Sequence, residues 1–333
     1  MVFVILISNP YQTIIMNSDT IVVTGGTGFV GANLVNKLNQ NGFNRIVIID
    51  DYDERKFKNI KNSLFIDFIS YKHGIDHIEK QLNKYSIAHV IHIGANADVL
   101  IKDAELMLNL NYDHSKFYLN YCLEKGIPLT YASSSAVYGN SNCCKINQKF
   151  EDPHNVYAWS KWMFDKLVFS GLDRFKTPVI GLRFFNIFGM GEFHKGKNAS
   201  LPFRFYKFIK EDGFIGLFDR EILRDYVWVD DVTSVIIDIV KGNWENGIYN
   251  LGSGHPISHQ ELASIVVDIF IERGIKTLSE DLIRPIKMPE DLLNTFQFFT
   301  KAEEILPEIK KYSIGNKEKI RDYINQLIDN DIS

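Results

Sequence analysis

The chain has 333 residues, 45% of them hydrophobic, and a formal net charge of −4. That length supports one large α/β domain or two unequal lobes around a substantial core. Interspersed charges of both signs argue against a nucleic-acid surface, and no apolar run approaches the ~20 residues that span a bilayer. Cys122, Cys143 and Cys144 neither frame disulfides nor take metal-like spacing. No cluster of His, Cys, Asp or Glu suggests a metal. This usage fits a reducing cytoplasm.

Residues 1–19 read as an N-terminal extension. MVFVILI is apolar but short, with no basic segment before it and no small-residue cleavage site after it, so it makes a poor signal peptide. Met16 stands just before the first strand as an alternative start. From there β-rich runs alternate with amphipathic ones. Strands are expected over 20–24, 45–50, 63–66, 89–93, 129–133 and 179–184, and helices over 30–41, 74–84, 104–125 and 156–169. Such alternation predicts an α/β fold, a doubly wound parallel sheet with helices on both faces. The rhythm breaks over 187–225, a stretch rich in Gly, Lys and aromatic residues. It returns over 226–255, and the tail reads as helices with a short strand. The expected organisation is a dinucleotide-binding domain over 20–186 plus about 226–255. A smaller, interleaved α+β substrate lobe takes about 187–225 plus 256–333.

The run TGGTGFVG, Thr24 to Gly31, lies between the first strand and the first helix. Gly25 suits a tight turn, Gly28 lets backbone approach a pyrophosphate, and Gly31 lets the helix pack closely. A helix N-terminus there offers free N–H groups and a positive dipole to phosphate. About twenty residues on, the second strand ends in Asp50–Asp51, where an acid that holds ribose belongs. Phe29 and Val30 within the run, and Gly94 and Ala95 after the fourth strand, are expected to line the dinucleotide. Asp50 favours the free ribose of NAD, whereas Arg55 and Lys56 could accept the 2′-phosphate of NADP.

Tyr157 and Lys161 stand at Y-x-x-x-K, on one face of a predicted helix. A nearby ammonium favours phenolate, so Tyr157 is expected to exchange a proton with a substrate hydroxyl. Lys161 could also hold the cofactor ribose. The run Ser133–Ser134–Ser135 closes a predicted strand, and a hydroxyl there can bond a developing alkoxide. Arg224, Arg204 and Lys197 are candidate cations for a diphosphate, since guanidinium groups clamp phosphate bidentately and a lysine adds a point charge. Asp230 and Asp231 are expected to cap a helix. Phe117, Tyr118 and Tyr121 read as packing, and His92 as a satisfied core histidine.

In order, TGGTGFVG, YASSSAVYG, NVYAWSK and LRFFNIFG resemble the landmarks of the extended short-chain dehydrogenase/reductases, over about residues 20–310. The resemblance implies that Ser134, Tyr157 and Lys161 are catalytic, that Asn111 is structural and that Asp67 lies near the adenine. A narrower likeness, carried by NVYAWSKWMFD, GEFHKGKNAS and RDYVWVDDV, is to the ADP-glycero-manno-heptose 6-epimerases. It implies tightly held NADP, with Lys56 at a lysine those enzymes carry, and makes Lys195 of His-Lys-Gly a second acid/base opposite the tyrosine. Asn186, Phe218 and Phe296 become substrate contacts beside Lys197, Arg204 and Arg224. It also implies a nucleotide-diphosphate sugar as substrate, a role in lipopolysaccharide synthesis, and a homo-oligomer. Departures fall around the substrate: Ala97–Asp98–Val99 replaces Ser-Ser-Thr, and Lys197, Arg204 and Phe296 replace Ser, His and Tyr. Another nucleotide-sugar 4-epimerase or a keto-sugar reductase is therefore the alternative, and a dinucleotide-binding protein without turnover the lesser one.

Overall fold

Val, Ile and Thr cluster in short runs that end at Gly, Asn or Asp, and these runs become strands. A computed structural model describes residues 19–242, 244–277, 281–292, 297–305 and 316–332. The expected extension, apart from Asp19, lies outside the described residues, as does Phe296. The strands of the first half are β1 (Thr20–Thr24), β2 (Ile46–Asp50), β3 (Asp67–Ser70), β4 (Ile87–His92), β5 (Leu129–Ser134) and β6 (Val179–Phe184). Shorter strands follow: β7 (Asn186–Phe188), β8 (Ile215–Phe218), β9 (Leu223–Arg224) and β10 (Tyr226–Trp228). The last are β11 (Gly247–Leu251), β12 (Ile257–Ser258) and β13 (Ile283–Ile286). Helices are α1 (Phe29–Gln40), α2 (Glu54–Phe57), α3 (Ile75–Leu82), α4 (Ala104–Leu108), α5 (His114–Lys125) and α6 (Val156–Phe169). They continue with α7 (Leu201–Lys207), α8 (Val229–Val240), α9 (His259–Glu272) and α10 (Asn316–Ile332).

Seven strands form one parallel sheet in the order β3-β2-β1-β4-β5-β6-β11. Every position of β1, β2 and β5 is buried, as expected of strands covered on both faces. Alternation divides their side chains. Ile21, Val23, Ile46 and Ile48 pack under α1 and α8, against Leu34, Leu38, Val232 and Ile236. Val22, Val47 and Val90 point the other way, toward Ile78, Leu82, Leu119 and Phe164 of α3, α5 and α6. The chain runs outward from β1 to β3 and returns to β4 on the other side of β1. That reversal opens a crevice at the carboxyl ends of β1 and β4, where such sheets bind ligands.

A third apolar cluster lies apart from the sheet. It joins Phe203, Phe205 and Tyr206 of α7 to Leu262, Val266 and Phe270 of α9 and to Ile320, Tyr323 and Leu327 of α10. Strand β10 serves both regions. Tyr226 and Trp228 face this cluster while Val227 faces the sheet's, an alternation with period two. The small strands pair across long separations: β7 with β10, β8 with β13, and β9 with β12.

Three local expectations are corrected. The third strand lies at Asp67–Ser70, not 63–66. Leu64, Phe65 and Ile66 are exposed, whereas Ile69 packs on Ile78 and Leu82, so the core contact and not β-propensity sets the strand. The helix over 104–125 carries a π-helical turn at Asn109–Asp113, which turns Asn111 inward. Asp230 and Asp231 do not cap α8. Trp228 holds that position, and the two acids sit in the first turn, where they favour the helix dipole and pair with Lys37 and Lys319.

Candidate active site

The glycines divide by what crowds them. Gly25 has φ +68°, and a Cβ there would lie 2.7 Å from Gly94 Cα. A Cβ on Gly31 would lie 2.0 Å from the Gly25 carbonyl oxygen. Both must be glycine for the protein's own packing. A Cβ on Gly28 meets only the Gly25 oxygen, at 3.2 Å. Among the described residues nothing else crowds Gly28, and the space over it suits a close-lying diphosphate. Gly28 also opens α1 without a side-chain cap, so the helix's first N–H groups are available to an anion. These residues fit a dinucleotide.

The turn faces a cavity of about 580 Å³ at the switch point. Gly25, Gly28, Phe29, Val30 and Gly31 line one wall. Asp50, Asp51, Lys56, Gly94, Ala95 and Lys195 also line the cavity, whereas Ser134, Tyr157 and Lys161 are not among its lining residues. Asp50 accepts from the Thr27 amide at 2.9 Å and the Thr27 hydroxyl at 2.6 Å. Burial pushes its pKa up, but the Lys56 ammonium and the Thr27 bonds outweigh this and hold it below the usual carboxylate value. Lys56 Nζ lies 2.6 Å from Asp51 and 3.3 Å from Asp50. Arg55 is turned to Asp53 at 2.7 Å. Asp67 is not brought to this cavity. It accepts the Tyr85 hydroxyl at 2.7 Å at the start of β3, because the strand begins four residues later than expected. Asp53, Tyr71 and His114 line the cavity without having been singled out in the sequence.

Ser134 ends β5, and its hydroxyl accepts from the Ala136 amide at 3.1 Å to start a tight 3₁₀ turn, Ser135–Tyr138. Asn155 caps α6 through the Ala158 amide at 2.8 Å, which fixes where Tyr157 emerges. Tyr157 and Ser134 are hydrogen-bonded. Burial raises the Tyr157 pKa, and the Ser134 bond offsets part of that rise. Lys161 donates to the Ala132 carbonyl at 2.8 Å. Burial brings its own pKa down to about 8, against the pull of Asp165. Its charge bears on His92, a residue of the cavity wall whose two ring nitrogens are taken up by Thr24 and Ser115. Beneath, Asp165 ties α6 to the sheet: it accepts from Tyr131, from Ser133 at 2.8 Å and from Arg183 at 2.8 Å. Asn111 bonds Asn96 and Ser160, and so ties the π turn to α6.

The His-Lys-Gly motif lies in a 3₁₀ segment, Phe193–Asn198, in which Gly196 takes φ +53°. Buried Glu192 anchors it, accepting from the Ser200 hydroxyl at 2.6 Å and the Tyr323 hydroxyl at 2.8 Å. His194 bonds Asn59 at 3.1 Å. Lys195 therefore points to the cavity, its ammonium 5.1 Å from the centre of the Phe29 ring. Burial lowers its pKa, with the Glu192 carboxylate opposing.

The expected substrate contacts fall in two groups. Buried Arg224 donates to the Leu223 carbonyl at 2.9 Å and to that of Gln297. Burial lowers its pKa to about 10, Tyr226 opposing. Arg204 lies 5.5 Å over Phe208, its pKa lowered by burial. Arg224 and Arg204 both act on His259 at the start of α9, where burial first and then these two charges bring the imidazole down to about 3. Asn186 donates to the Asp225 carbonyl at 3.1 Å, and Phe218 ends β8. Lys197 stands apart. Its side chain is 70% exposed, 3.8 Å from Asp98.

Residues 21–252 match the NAD dependent epimerase/dehydratase family. An ADP-L-glycero-D-manno-heptose-6-epimerase of Fusobacterium nucleatum is 33% identical over 326 residues, 92% of this chain and 98% of that one. Its counterpart from Brachyspira hyodysenteriae is 33% identical over 290 residues, 85% and 89% of the two chains. The crystal structure of the Helicobacter pylori ADP-L-glycero-D-manno-heptose-6-epimerase superposes with a TM-score of 0.78 at 29% identity, covering 93% of this chain and 96% of that one. The seven-stranded parallel sheet, the glycine turn at its switch point and the similarity along most of the chain agree: this protein belongs to the NAD dependent epimerase/dehydratase family.

Proposed function

We propose that this enzyme inverts C6 of an ADP-linked glycero-manno-heptose. A carbinol carbon without an activating neighbour is not epimerised by deprotonation. The carbinol is oxidised, the carbonyl turns over, and the same hydride returns to its other face. Nicotinamide dinucleotide, when bound, accepts and returns that hydride. The chain's own groups handle protons and orientation. Tyr157 takes the hydroxyl proton in one orientation, Ser134 bonds the oxygen, and Lys161 holds its place on α6. After the sugar turns, a second proton-handling group is needed, and Lys195 fills that role. Arg224 and Arg204 receive the diphosphate, with Asn186, Phe218, Phe296 and Lys197 around the nucleotide sugar.

The observation that carries this reading is a second ammonium, half-buried Lys195, among the residues that line the dinucleotide cavity and 5.1 Å from the centre of the Phe29 ring. A 4-epimerase or a reductase has no evident need for it. NADP is the cofactor we favour. Lys56 offsets the Asp50–Asp51 charge, and Arg55 beside it is 71% exposed. We also propose the division into a dinucleotide domain and an interleaved substrate lobe, a cytoplasmic location and a homo-oligomeric state.

Incubating the purified protein with ADP-D-glycero-D-manno-heptose and following C6 by proton NMR tests the reading. Conversion to the L-glycero epimer supports it. Absence of conversion, with activity on a nucleotide hexose at C4, favours the alternative. The observation on that side is Asp98, an acid in the cavity wall paired to Lys197 at 3.8 Å. The phosphate content of the released dinucleotide separates NADP from NAD.

A further inference from the structure

Gln297 reaches the serine turn from the far end of the chain. Its side-chain amide donates to the carbonyl oxygens of Ser135 and Gly139, each at 3.1 Å. Those two carbonyls bracket the turn Ser135–Tyr138, which begins directly after Ser134 and is buried throughout. One nitrogen with two hydrogens thus serves both acceptors, which a primary amide can do and a carboxylate cannot. The exit of the turn is also fixed sterically. Gly139 has φ +56°, and a Cβ there would lie 1.8 Å from the Asp152 oxygen.

The backbone around Gln297 is itself fastened to β9. The Leu223 amide donates to the Phe298 carbonyl at 2.8 Å, and the Thr300 amide to the Leu223 carbonyl at 3.2 Å. Arg224 donates to the carbonyl of Gln297. A single residue therefore meets Arg224 through its backbone and the serine turn through its side chain.

We infer that Gln297 is a positioning residue: held against Arg224 and β9, it fixes the turn after Ser134 so that the serine hydroxyl meets Tyr157 and the substrate oxygen together. The inference rests on the reading of Ser134 and Tyr157 given above. It makes one tail segment set both the diphosphate end and the reacting end of the site. A displacement of about 1 Å at a reacting group can cost about a hundredfold in rate, so a loosened turn has a measurable consequence.

The test uses Gln297→Ala and Gln297→Met in the full chain. Both keep the backbone carbonyl that Arg224 uses, and methionine keeps most of the volume should the alanine variant fold poorly. Two quantities are read: kcat and KM on the ADP-heptose, and the ultraviolet pH titration of the Tyr157 phenol, taken as the difference from Tyr157→Phe. The expected result is a kcat lower by roughly ten- to a hundredfold with KM within about threefold. Tyr157 should ionise at higher pH, because its Ser134 bond favours the phenolate. In a Ser134→Ala background Gln297→Met should add nothing. Unchanged kcat and an unchanged Tyr157 titration, with only a lower melting temperature, would make Gln297 a plain tail anchor and overturn the inference. If the wild-type protein does not turn over this sugar, the functional reading falls, and the titration still decides on Gln297: an upward shift upholds the role and no shift ends it.

Discussion

Within the parallel sheet, β1 takes β2 and β4 as neighbours, and the side chains alternate onto two helical layers without interruption. In the lobe beyond it, β8 pairs with β13, and β9 with β12 and the bridge at Phe299. The first region is built of repeated βα units, each of which makes sense locally. The second is made of strands of two to four residues whose partners arrive from far along the chain. The dinucleotide site inherits the regularity of the first. The proposed sugar site draws on the irregularity of the second, and the departures from the heptose epimerases that this chain resembles fall in both, at Lys197 and Arg204 in the lobe and at Ala97–Asp98–Val99 after β4. The proposed chemistry thus draws on both: Tyr157 stands on α6 against the regular frame and Lys195 on the irregular lobe.

The sharpest way to break the first half of that contrast is Gly28→Asp. Its carboxylate would stand where protein atoms leave room for a diphosphate, so dinucleotide should be absent after purification, read from the 260 and 340 nm absorbance. Undiminished occupancy would contradict the role given to the turn. Next comes the frame beneath α6. Arg183 is wholly buried between Asp165 and Glu151, at 2.8 and 2.6 Å. Arg183→Met leaves two buried carboxylates without their cation and should lower stability by about 3–5 kcal/mol, measured by denaturant unfolding. Tyr157→Phe should keep its dinucleotide and lose at least about a hundredfold in turnover, since positioned proton transfer contributes about 10²–10⁴-fold. Ser134→Ala should lose less, as it removes a bond and not the base. At the small end, Lys37→Met removes an exposed ion pair between α1 and α8, and should change stability by no more than about 1 kcal/mol.

Those expectations follow the legibility of the sequence. The glycine turn, the Asp50 strand end, the Y-x-x-x-K face and the serine run are local patterns, and each maps onto one turn or one helix face. Leu64–Phe65–Ile66 has the stronger β-propensity, but the packing of Ile69 sets where the third strand lies. The π turn at Asn109–Asp113 spans five residues, too few to show a period of their own in the sequence. Asp67 was assigned by likeness alone, and its carboxylate is taken by Tyr85. Gln297 and His259 went unseen for a different reason. Their neighbours, Ser135 and Gly139 for one and Arg204 and Arg224 for the other, are brought to them only by tertiary pairing in the lobe.

In the proposed mechanism two groups handle protons for the two orientations of one sugar, Tyr157 from the regular frame and Lys195 from the lobe side. Lys195→Met tests it most directly, assayed by steady-state epimerisation and by dismutation of an aldehyde analogue that needs only one orientation. The account predicts that epimerisation is lost while dismutation through Tyr157 continues. A variant that only raises KM, with kcat and epimerisation intact at saturation, would make Lys195 a binding group and would contradict the two-group mechanism.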